Sequence, residues 1–132
     1  MALEFKVNEK LLPEQMAEVF RLSGLKRPHH DLDRMGKMID QADILISCWD
    51  GGRVVGVARA ITDYCYCCYL SDLAVIKEYQ KKNIGKDLVE RLQQTLGDQV
   101  SIVLLSSEEA LTFYPQIGFE QATNAFRIAR KH

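Results

Sequence analysis

The stretch that decides the fold is residues 73–86, which read LAVIKEYQKKNIGK. Its first residues are apolar and of strand length, and the spacing of apolar residues from Ile84 onwards predicts a helix that begins at Asn83. Between strand and helix lies a short loop, and the segment from Gln80 to Lys86 contains three lysines and no acidic residue. The sequence therefore predicts a strand, a basic loop and a helix in direct succession.

This junction has the composition of an anion-binding loop. A helix start offers unpaired N–H groups and roughly half a positive charge, to which the lysines add. Asn83 and Gly85 suit a close backbone approach, because Gly lacks a Cβ atom and Asn tolerates left-handed angles. The junction lacks the patterns of a P-loop and of a Rossmann turn. Two interpretations remain open at this point: a phosphate cradle and a basic loop at the end of a solvated helix.

The composition of the chain is that of a globular domain. It has 132 residues (15.1 kDa), of which 47% are hydrophobic and 27% charged, so a disordered or collagen-like chain is excluded. Its 17 basic and 18 acidic side chains nearly cancel, which argues against a nucleic-acid binder that works by bulk charge. No apolar run approaches the roughly 18 residues of a membrane span, and the N-terminus has no signal-peptide core. We expect a cytoplasmic protein that binds neither nucleic acid nor membrane.

Periodicity along the chain predicts one α/β domain, residues 1–132, with a mixed β-sheet. Strands and helices follow in the order β-α-α-β-β-β-α-β-α-β. The hairpin between the second and third strands turns at Asp50-Gly51-Gly52, residues that tolerate positive φ. The predicted strands are residues 3–7, 44–49, 53–61, 65–75, 100–105 and 125–129. The predicted helices are residues 13–24, 31–39, 83–96 and 107–114.

The cysteines at positions 48, 65, 67 and 68 are expected to be reduced, buried, structural thiols. Cys65 and Cys68 nominally form C-x-x-C, but side chains three apart in a strand point to opposite faces. No second ligand pair stands at zinc spacing, so we predict no metal site. The tyrosines within residues 64–69 either line a substrate cleft or pack on the surface.

Two blocks of the sequence resemble the GNAT family of N-acetyltransferases. Residues 71–75 (SDLAV) and 79–86 (YQKKNIGK) resemble the family's motif A, a bulged strand followed by Q/R-x-x-G-x-G/A. Residues 110–119, ALTFYPQIGF, resemble its A-x-x-F-Y-x-x-x-G-F block. The resemblance runs from about residue 43 to the end of the chain and more loosely over the two N-terminal helices.

The resemblance implies a single GNAT-like domain, with helices on both faces of the sheet, that takes acetyl-CoA as acyl donor. The backbone of Leu73, Ala74 and Val75 would run alongside the pantetheine arm. A backbone N–H near the bulge, at Leu73 or Ala74, would bind the acyl carbonyl. The amides of residues 81–86 would hold the pyrophosphate, and Ile84 would anchor the helix to the sheet. The donor-binding residues of this turn are Gln80, Lys81, Lys82, Asn83, Ile84, Gly85 and Lys86.

Two positions depart from the family pattern. Asn83 stands where the family usually has its first Gly, and Ser107 stands where many members have an Asn. The Asn83 backbone can adopt the required angles at modest cost. The Ser107 hydroxyl can still bond the pantetheine, so Ser107 is counted as donor-binding.

By the same resemblance, Tyr114 is the general acid that protonates the departing sulfur. The alternative is an aromatic side chain that only packs on the preceding strand. The implied activity is direct transfer of an acetyl group to the primary amine of a small molecule. Two alternatives stay open, a non-catalytic acyl-CoA-binding regulatory module and an acetyltransferase acting on a protein or peptide amine. Dimers are frequent among similar folds, so a homodimer is also open.

No residue is assigned as general base. Asp72 is either a base or a brace for the strand. His29 and His30 either border the acceptor cleft, where a histidine can titrate near neutral pH, or form an exposed loop pair, which is the simpler interpretation. Glu108 and Glu109 are expected to lie on a solvated helix face.

Overall fold

A five-stranded sheet lies at the centre of the protein, in the order β1-β2-β3-β4-β5. The structure is a computed structural model that describes residues 2–132. The strands are β1 (Leu3–Val7), β2 (Ile44–Asp50), β3 (Arg53–Thr62), β4 (Cys67–Val75) and β5 (Ser101–Val103). The helices are α1 (Pro13–Ser23), α2 (Leu32–Gln41), α3 (Ile84–Leu96) and α4 (Phe113–Gln116). Short 3₁₀ turns span Lys77–Tyr79 and Glu108–Ala110.

The sheet is mixed, as predicted. Strands β1 to β4 pair antiparallel in succession, and β4 pairs parallel with β5. The predicted β2–β3 hairpin forms, with Gly51 at a φ of 61°. The parallel step needs a crossover, which α3 supplies between β4 and β5.

Helices cover both faces of the sheet. Helix α1 packs on β3 and β4, whereas α3 packs on β2, β3 and β4. On β3, Gly56 faces α3, since a Cβ there would lie 3.2 Å from the Cγ2 atom of Ile84. Arg59, three residues further on, faces the other side, toward α1. Gly56 thus lets the first turn of α3 approach the sheet closely.

Each face has its own apolar core. Met16, Phe20 and Met35 are fully buried under α1 and α2, and Ile84 and Leu88 are buried under α3. Helix α1 ends at Gly24, whose φ of 85° is left-handed, and the Asp31 side chain caps α2 by accepting the N–H of Arg34 at 3.1 Å. The sequence signals for these two helices are therefore confirmed.

The predicted strand at residues 125–129 is wrong. Residues 121–132 form no regular structure and all are exposed. An alternating apolar pattern marks a segment able to pair, but a strand forms only where a neighbouring strand supplies the hydrogen bonds. No strand within residues 2–132 does so.

Three other boundaries differ from prediction. β4 begins at Cys67 rather than Cys65, because the Asp63 carboxylate accepts the N–H groups of residues 65, 66 and 67 and so holds a turn there. The predicted helix at residues 107–114 is a 3₁₀ turn followed by the short α4. The strand predicted at residues 100–105 is shortened to Ser101–Val103.

Burial of the cysteines agrees with prediction for only half of them. Cys48 and Cys68 are buried, but Cys65 and Cys67 are exposed. The N–H groups of both exposed cysteines bond the Asp63 carboxylate in a surface turn that precedes the buried part of β4. Among residues 2–132, no three His, Cys, Asp or Glu side chains are grouped so as to hold a metal ion. In the same residues, no helix has the length and apolar character required to cross a membrane.

Candidate active site

A cleft opens where β4 and β5 separate. The two strands pair only at Cys67–Tyr69 and Ser101–Val103, whereas β4 continues to Val75 with β3 on its other side. The β5-facing edge of residues 70–75 therefore has no neighbouring strand.

Strand alternation decides which backbone groups face this cleft. The N–H of Ile76 donates to the carbonyl of Val55 at 2.9 Å, so Ile76 and Val55 form a hydrogen-bonded pair of the antiparallel ladder. Such pairs alternate along a ladder. The backbone groups of Ala74 thus face β3, and those of Leu73 and Val75 face the cleft.

Two of the cleft-facing carbonyl oxygens accept hydrogen bonds from side chains. The backbone groups of Leu73, which lies between them, accept and donate none of these bonds. The Nε2 atom of Gln80 donates to the carbonyl of Val75 at 2.8 Å. The Nη2 atom of Arg27 donates to the carbonyl of Ser71 at 2.9 Å. Ser71 is the bulged residue of β4, since Arg59 pairs with Asp72 while Ala60 pairs with Leu70. The N–H and C=O of Leu73 and the N–H of Val75 are left at the position where an added strand would bond.

The turn that follows β4 lies at one end of this cleft. Lys81 and Asn83 have φ angles of 66° and 65°, both left-handed. The first intrahelical bond of α3 joins the N–H of Asp87 to the carbonyl of Asn83 at 2.9 Å. The N–H groups of residues 84–86 thus have no intrahelical partner. Asn83 does take the left-handed angle that a Gly would take, as predicted from its residue type.

The lysines of the turn are exposed and only loosely engaged. Lys82 lies over the ring of Tyr79, with 5.6 Å from Nζ to the ring centroid. Lys86 lies 3.9 Å from the carboxylate of Glu90, one helical turn away. Pairs this exposed contribute little to stability, so the ammonium groups are free to meet an anion.

Helix α4 closes the far side of the cleft through aromatic contacts. A Cβ built on Gly85 would lie 3.2 Å from the Cζ atom of Phe113 and 4.0 Å from a methyl group of Leu73. The start of α3, the open edge of β4 and the first residue of α4 therefore meet at Gly85.

Tyr114 is held between two rings. Its ring packs edge to face against Phe113 and Phe119, with centroids 5.2 and 5.4 Å apart. Burial raises the pKa of Tyr114 above its ordinary value of 10, and the positive charge of Arg27 partly opposes this shift. The hydroxyl is thus protonated at neutral pH. The Phe113 ring contacts Tyr114 and lies beside Gly85, which places Tyr114 near the start of α3.

The buried carboxylate of Asp72 is bonded by two arginines. Its side chain is 1% exposed, and each carboxylate oxygen accepts one bond of 2.5 Å, Oδ1 from Nε of Arg27 and Oδ2 from Nε of Arg59. Arg59 also donates to the hydroxyl of Ser71 at 2.9 Å. Both carboxylate oxygens are thus engaged by guanidinium groups in charge-assisted hydrogen bonds.

Sequence reasoning missed both arginines. Arg59 could have been found, because a charged residue in the middle of the apolar run VVGVARA indicates a buried ion pair. Arg27 lies in the connection between α1 and α2, where the sequence gives no such signal.

The other residues singled out in the sequence, two histidines, two glutamates and a serine, make none of the contacts described above. His29 and His30 form an edge-to-face pair with centroids 6.0 Å apart in the α1–α2 connection. Glu108 and Glu109 are exposed, as predicted. Ser107 is partly buried and precedes the 3₁₀ turn of Glu108–Ala110, to which its side chain makes no capping bond.

Comparison with known proteins gives matches to acetyltransferases. A family model described as an acetyltransferase (GNAT) domain matches residues 12–129. The histone acetyltransferase TAP1 of Glycine max is 36% identical over 70 residues, which are 52% of this chain and 30% of that protein. The chain therefore spans less than a third of the length of this relative.

Solved structures share the fold. A probable acetyltransferase from meticillin-resistant Staphylococcus aureus superposes with a TM-score of 0.86 at 18% identity, over 99% of this chain and 100% of that chain. An aminoglycoside N-acetyltransferase in complex with CoA gives a TM-score of 0.71 at 16% identity, over 99% and 96% of the two chains. The family match covers most of the residues, including the β4–α3 turn and Tyr114, and on that basis the chain belongs to the GNAT acetyltransferases, a family of acetyl-CoA-dependent acyltransferases.

Proposed function

We propose that the protein transfers an acetyl group from acetyl-CoA directly to the primary amine of a small molecule. The observation that carries this proposal is the open backbone of Leu73 between two carbonyls that Gln80 and Arg27 already occupy. Free N–H and C=O groups at the point where β4 and β5 separate suit an amide-containing arm added as a short strand. Pantetheine is such an arm.

Two parts of the protein bind acetyl-CoA, one at its pyrophosphate and one along its pantetheine arm. The amides of residues 81–86 and the nearby lysines hold the pyrophosphate at the start of α3, where the helix dipole favours an anion. The backbone of Leu73, Ala74 and Val75 aligns the pantetheine, and the bulge at Ser71 turns the acyl end toward the acceptor. The Ser107 hydroxyl supplies a further polar contact to the pantetheine.

Bound acetyl-CoA supplies an activated acetyl group. The acceptor nitrogen would form the new C–N bond as the C–S bond breaks, and Tyr114 would donate its proton to the departing sulfur. Tyr114 would regain a proton through solvent as the nitrogen releases one, and its raised pKa keeps the hydroxyl protonated at neutral pH. A proton transfer of this kind typically contributes roughly 100- to 10,000-fold to the rate. Both oxygens of the Asp72 carboxylate are bonded to Arg27 and Arg59, so Asp72 is not assigned as the base. The acceptor ammonium loses its proton to solvent instead.

The acceptor side is bordered by the α1–α2 connection, which carries His29 and His30. A small-molecule acceptor is supported by the aminoglycoside acetyltransferases among the structural neighbours. The relative named as a histone acetyltransferase makes a protein amine the competing class. The cytoplasmic location expected from the sequence stays a prediction.

A thiol-release assay tests the proposal. Purified protein with acetyl-CoA is screened against amines, polyamines, amino acids and lysine peptides. We expect CoA release with one class of small amine and protection of the amides of residues 81–86 from hydrogen exchange by acetyl-CoA. Release with peptides alone would establish the protein-amine alternative. Protection without release for any amine would indicate the non-catalytic binding module.

A further inference from the structure

Three exposed apolar side chains lie side by side across three neighbouring strands. Ile61 of β3 pairs with Tyr69 of β4, and Tyr69 pairs with Val103 of β5. Their exposed fractions are 42%, 41% and 48%. Paired residues share a face of the sheet, and adjacent strands are about 4.8 Å apart. The three side chains therefore form one continuous strip, called here the apolar row.

The apolar row lies on the face of the sheet that also meets the α1–α2 connection. Gly56 of β3 faces α3, and Ile61, five residues further along the same strand, therefore points to the opposite face. Arg59 and Asp72 point to that face as well, and Asp72 bonds Arg27 of the connection. Helix α1 packs on this face of β3 and β4 but leaves the apolar row exposed.

The cleft begins where the apolar row ends. Tyr69 and Val103 are the last pair that joins β4 to β5, and beyond them β4 continues alone through the bulge at Ser71 to the open groups of Leu73. In the proposed function, the acyl end of acetyl-CoA lies at this bulge. An acceptor amine that reaches the acyl carbon from the face of the α1–α2 connection therefore has the apolar row beside it.

The charge beside the apolar row is positive. Arg27 and Arg59 share the single carboxylate of Asp72, which leaves this group with one net positive charge. On the other side of the row, the next paired positions of the same face are the uncharged Cys67 and Ser101. Polyamines and aminoglycosides carry several ammonium groups, and like charges at short range repel each other. This surface suits a molecule with one ammonium group and an apolar body.

We propose that the apolar row binds the body of the acceptor, and that the acceptor is a monoamine with an apolar or aromatic body rather than a polyamine or an aminoglycoside. The inference rests on the proposed function, because it concerns the acceptor of the same reaction. Contact with the row removes apolar surface of both partners from water, which supplies the affinity. Tyr69 stands at the centre of the row, so its ring makes the largest contact.

Steady-state kinetics with matched amines test the proposal. With acetyl-CoA as donor, 2-phenylethylamine should give a kcat/KM about tenfold or more above that of spermidine or of an aminoglycoside. Tyr69→Ala should raise the KM for 2-phenylethylamine about tenfold and leave the KM for acetyl-CoA nearly unchanged, because only the acceptor loses its contact. Tyr69→Phe is the matched control, since it keeps the ring and should change neither KM.

A charge introduced into the apolar row tests the specificity. Val103→Asp should raise kcat/KM for spermidine about tenfold, because a carboxylate then faces the additional ammonium groups. Val103→Asn has the same size without the charge and should give spermidine no advantage. Circular dichroism checks that both variants are folded. A higher kcat/KM for spermidine than for 2-phenylethylamine in the unaltered protein would overturn the proposal, as would an unchanged KM for 2-phenylethylamine in Tyr69→Ala.

Binding measurements separate this inference from the proposed function. Calorimetry in the presence of CoA should show that 2-phenylethylamine binds and that Tyr69→Ala weakens this binding about tenfold. If no amine released CoA, the proposed activity alone would be refuted. If 2-phenylethylamine did not bind, or bound equally to Tyr69→Ala, the inference alone would be refuted. A KM for hexanoyl-CoA that rose in Tyr69→Ala while amine binding stayed the same would also overturn it, because the row would then hold an acyl chain.

Discussion

Arg27 donates from its Nε atom to Oδ1 of Asp72 at 2.5 Å, and so ties the connection between α1 and α2 to the strand that borders the cleft. Arg59 bonds the other oxygen of the same carboxylate from within the sheet. Arg27 also reaches the carbonyl of Ser71, the bulged residue. One buried carboxylate thus fixes both the bulge and the loop that faces it.

Replacing Asp72 should destabilise the protein strongly. Asp72→Asn leaves two guanidinium groups in a buried site without their counter-charge, and breaking such a pair typically costs about 3–5 kcal/mol. Urea unfolding measures the loss. Glu78→Gln is the control, because it breaks a solvent-exposed pair with Arg53 that is worth about 1 kcal/mol or less. Equal losses for both variants would show that the buried carboxylate is not a brace.

Removing the hydroxyl of Tyr114 should slow catalysis without weakening donor binding. We expect Tyr114→Phe to lower kcat by roughly tenfold or more, because the departing sulfur loses its proton donor. The affinity for acetyl-CoA should change little, since the ring contacts with Phe113 and Phe119 are retained. Steady-state kinetics and calorimetry separate the two effects. An unchanged kcat would remove Tyr114 from the mechanism.

The pH dependence of kcat gives a second test of Tyr114. The protonated hydroxyl is the active form, so its contribution is present below the pKa and is lost above it. Burial raises that pKa above the ordinary value of 10, and the loss should therefore appear only above pH 10. A decrease in kcat at lower pH that Tyr114→Phe abolishes would show that the pKa is not raised.

Much of the fold could be predicted, because local patterns determine it. The Asp50-Gly51-Gly52 turn, the Gly24 helix end and the apolar spacing from Ile84 onwards each depend on residues close in sequence, and each prediction is confirmed. The left-handed Asn83 likewise follows from residue type.

The features that could not be predicted from the sequence depend mostly on contacts that local patterns do not show. Arg27 and Asp72 are 45 residues apart, and nothing in either neighbourhood indicates the other. The exposure of Cys65 results from a turn that the Asp63 carboxylate builds from three backbone N–H groups. Residues 125–129 have the pattern of a strand, but no strand within residues 2–132 pairs with them.

The four thiols should react in two classes. Cys65 and Cys67 are exposed, whereas Cys48 and Cys68 are buried, and burial raises the pKa of Cys48 to about 11. A disulfide reagent should therefore modify the two exposed thiols quickly in the folded protein. In urea all four should react, because unfolding exposes the buried thiols and lets them form the reactive thiolate.

The reaction rate of Cys65 should also depend on the neighbouring carboxylate of Asp63. A hydrogen bond to the Asp63 carboxylate raises the pKa of Cys65, so less thiolate is present at neutral pH. Asp63→Asn removes this negative charge and should accelerate the reaction of Cys65, read by mass spectrometry of its peptide. A slower reaction in this variant, or fast modification of Cys48 in the folded protein, would contradict the assigned environments.

The left-handed backbone at Asn83 predicts a specific order of variants. With a φ of 65°, Asn83→Gly should keep or increase the stability, whereas Asn83→Ala should lose about 1 kcal/mol. Donor binding should follow the same order, because the amides of the turn are oriented by this angle. Urea unfolding and the Kd for acetyl-CoA measure the two properties. If Asn83→Ala bound the donor as tightly as Asn83→Gly, the angle would not matter to the site.

Gly85 should be required for activity more than for stability. An added Cβ would lie 3.2 Å from the ring of Phe113, so the ring and the neighbouring Tyr114 must shift by a few tenths of an ångström. Ala is also a better helix residue than Gly by up to about 1 kcal/mol, so Gly85→Ala should leave the free energy of unfolding nearly unchanged. We expect kcat to fall on the order of tenfold, because small displacements of reacting groups are costly.

Gly36 supplies the matched control for this contact. Gly36→Ala places a Cβ 3.5 Å from Cγ of Pro13, an ordinary contact distance, and should stabilise α2 without changing kcat. Adding Phe113→Leu to Gly85→Ala should recover part of the lost rate, since a smaller side chain relieves the contact. Equal kcat values for Gly85→Ala and Gly36→Ala would show that the position of the Phe113 ring does not control Tyr114.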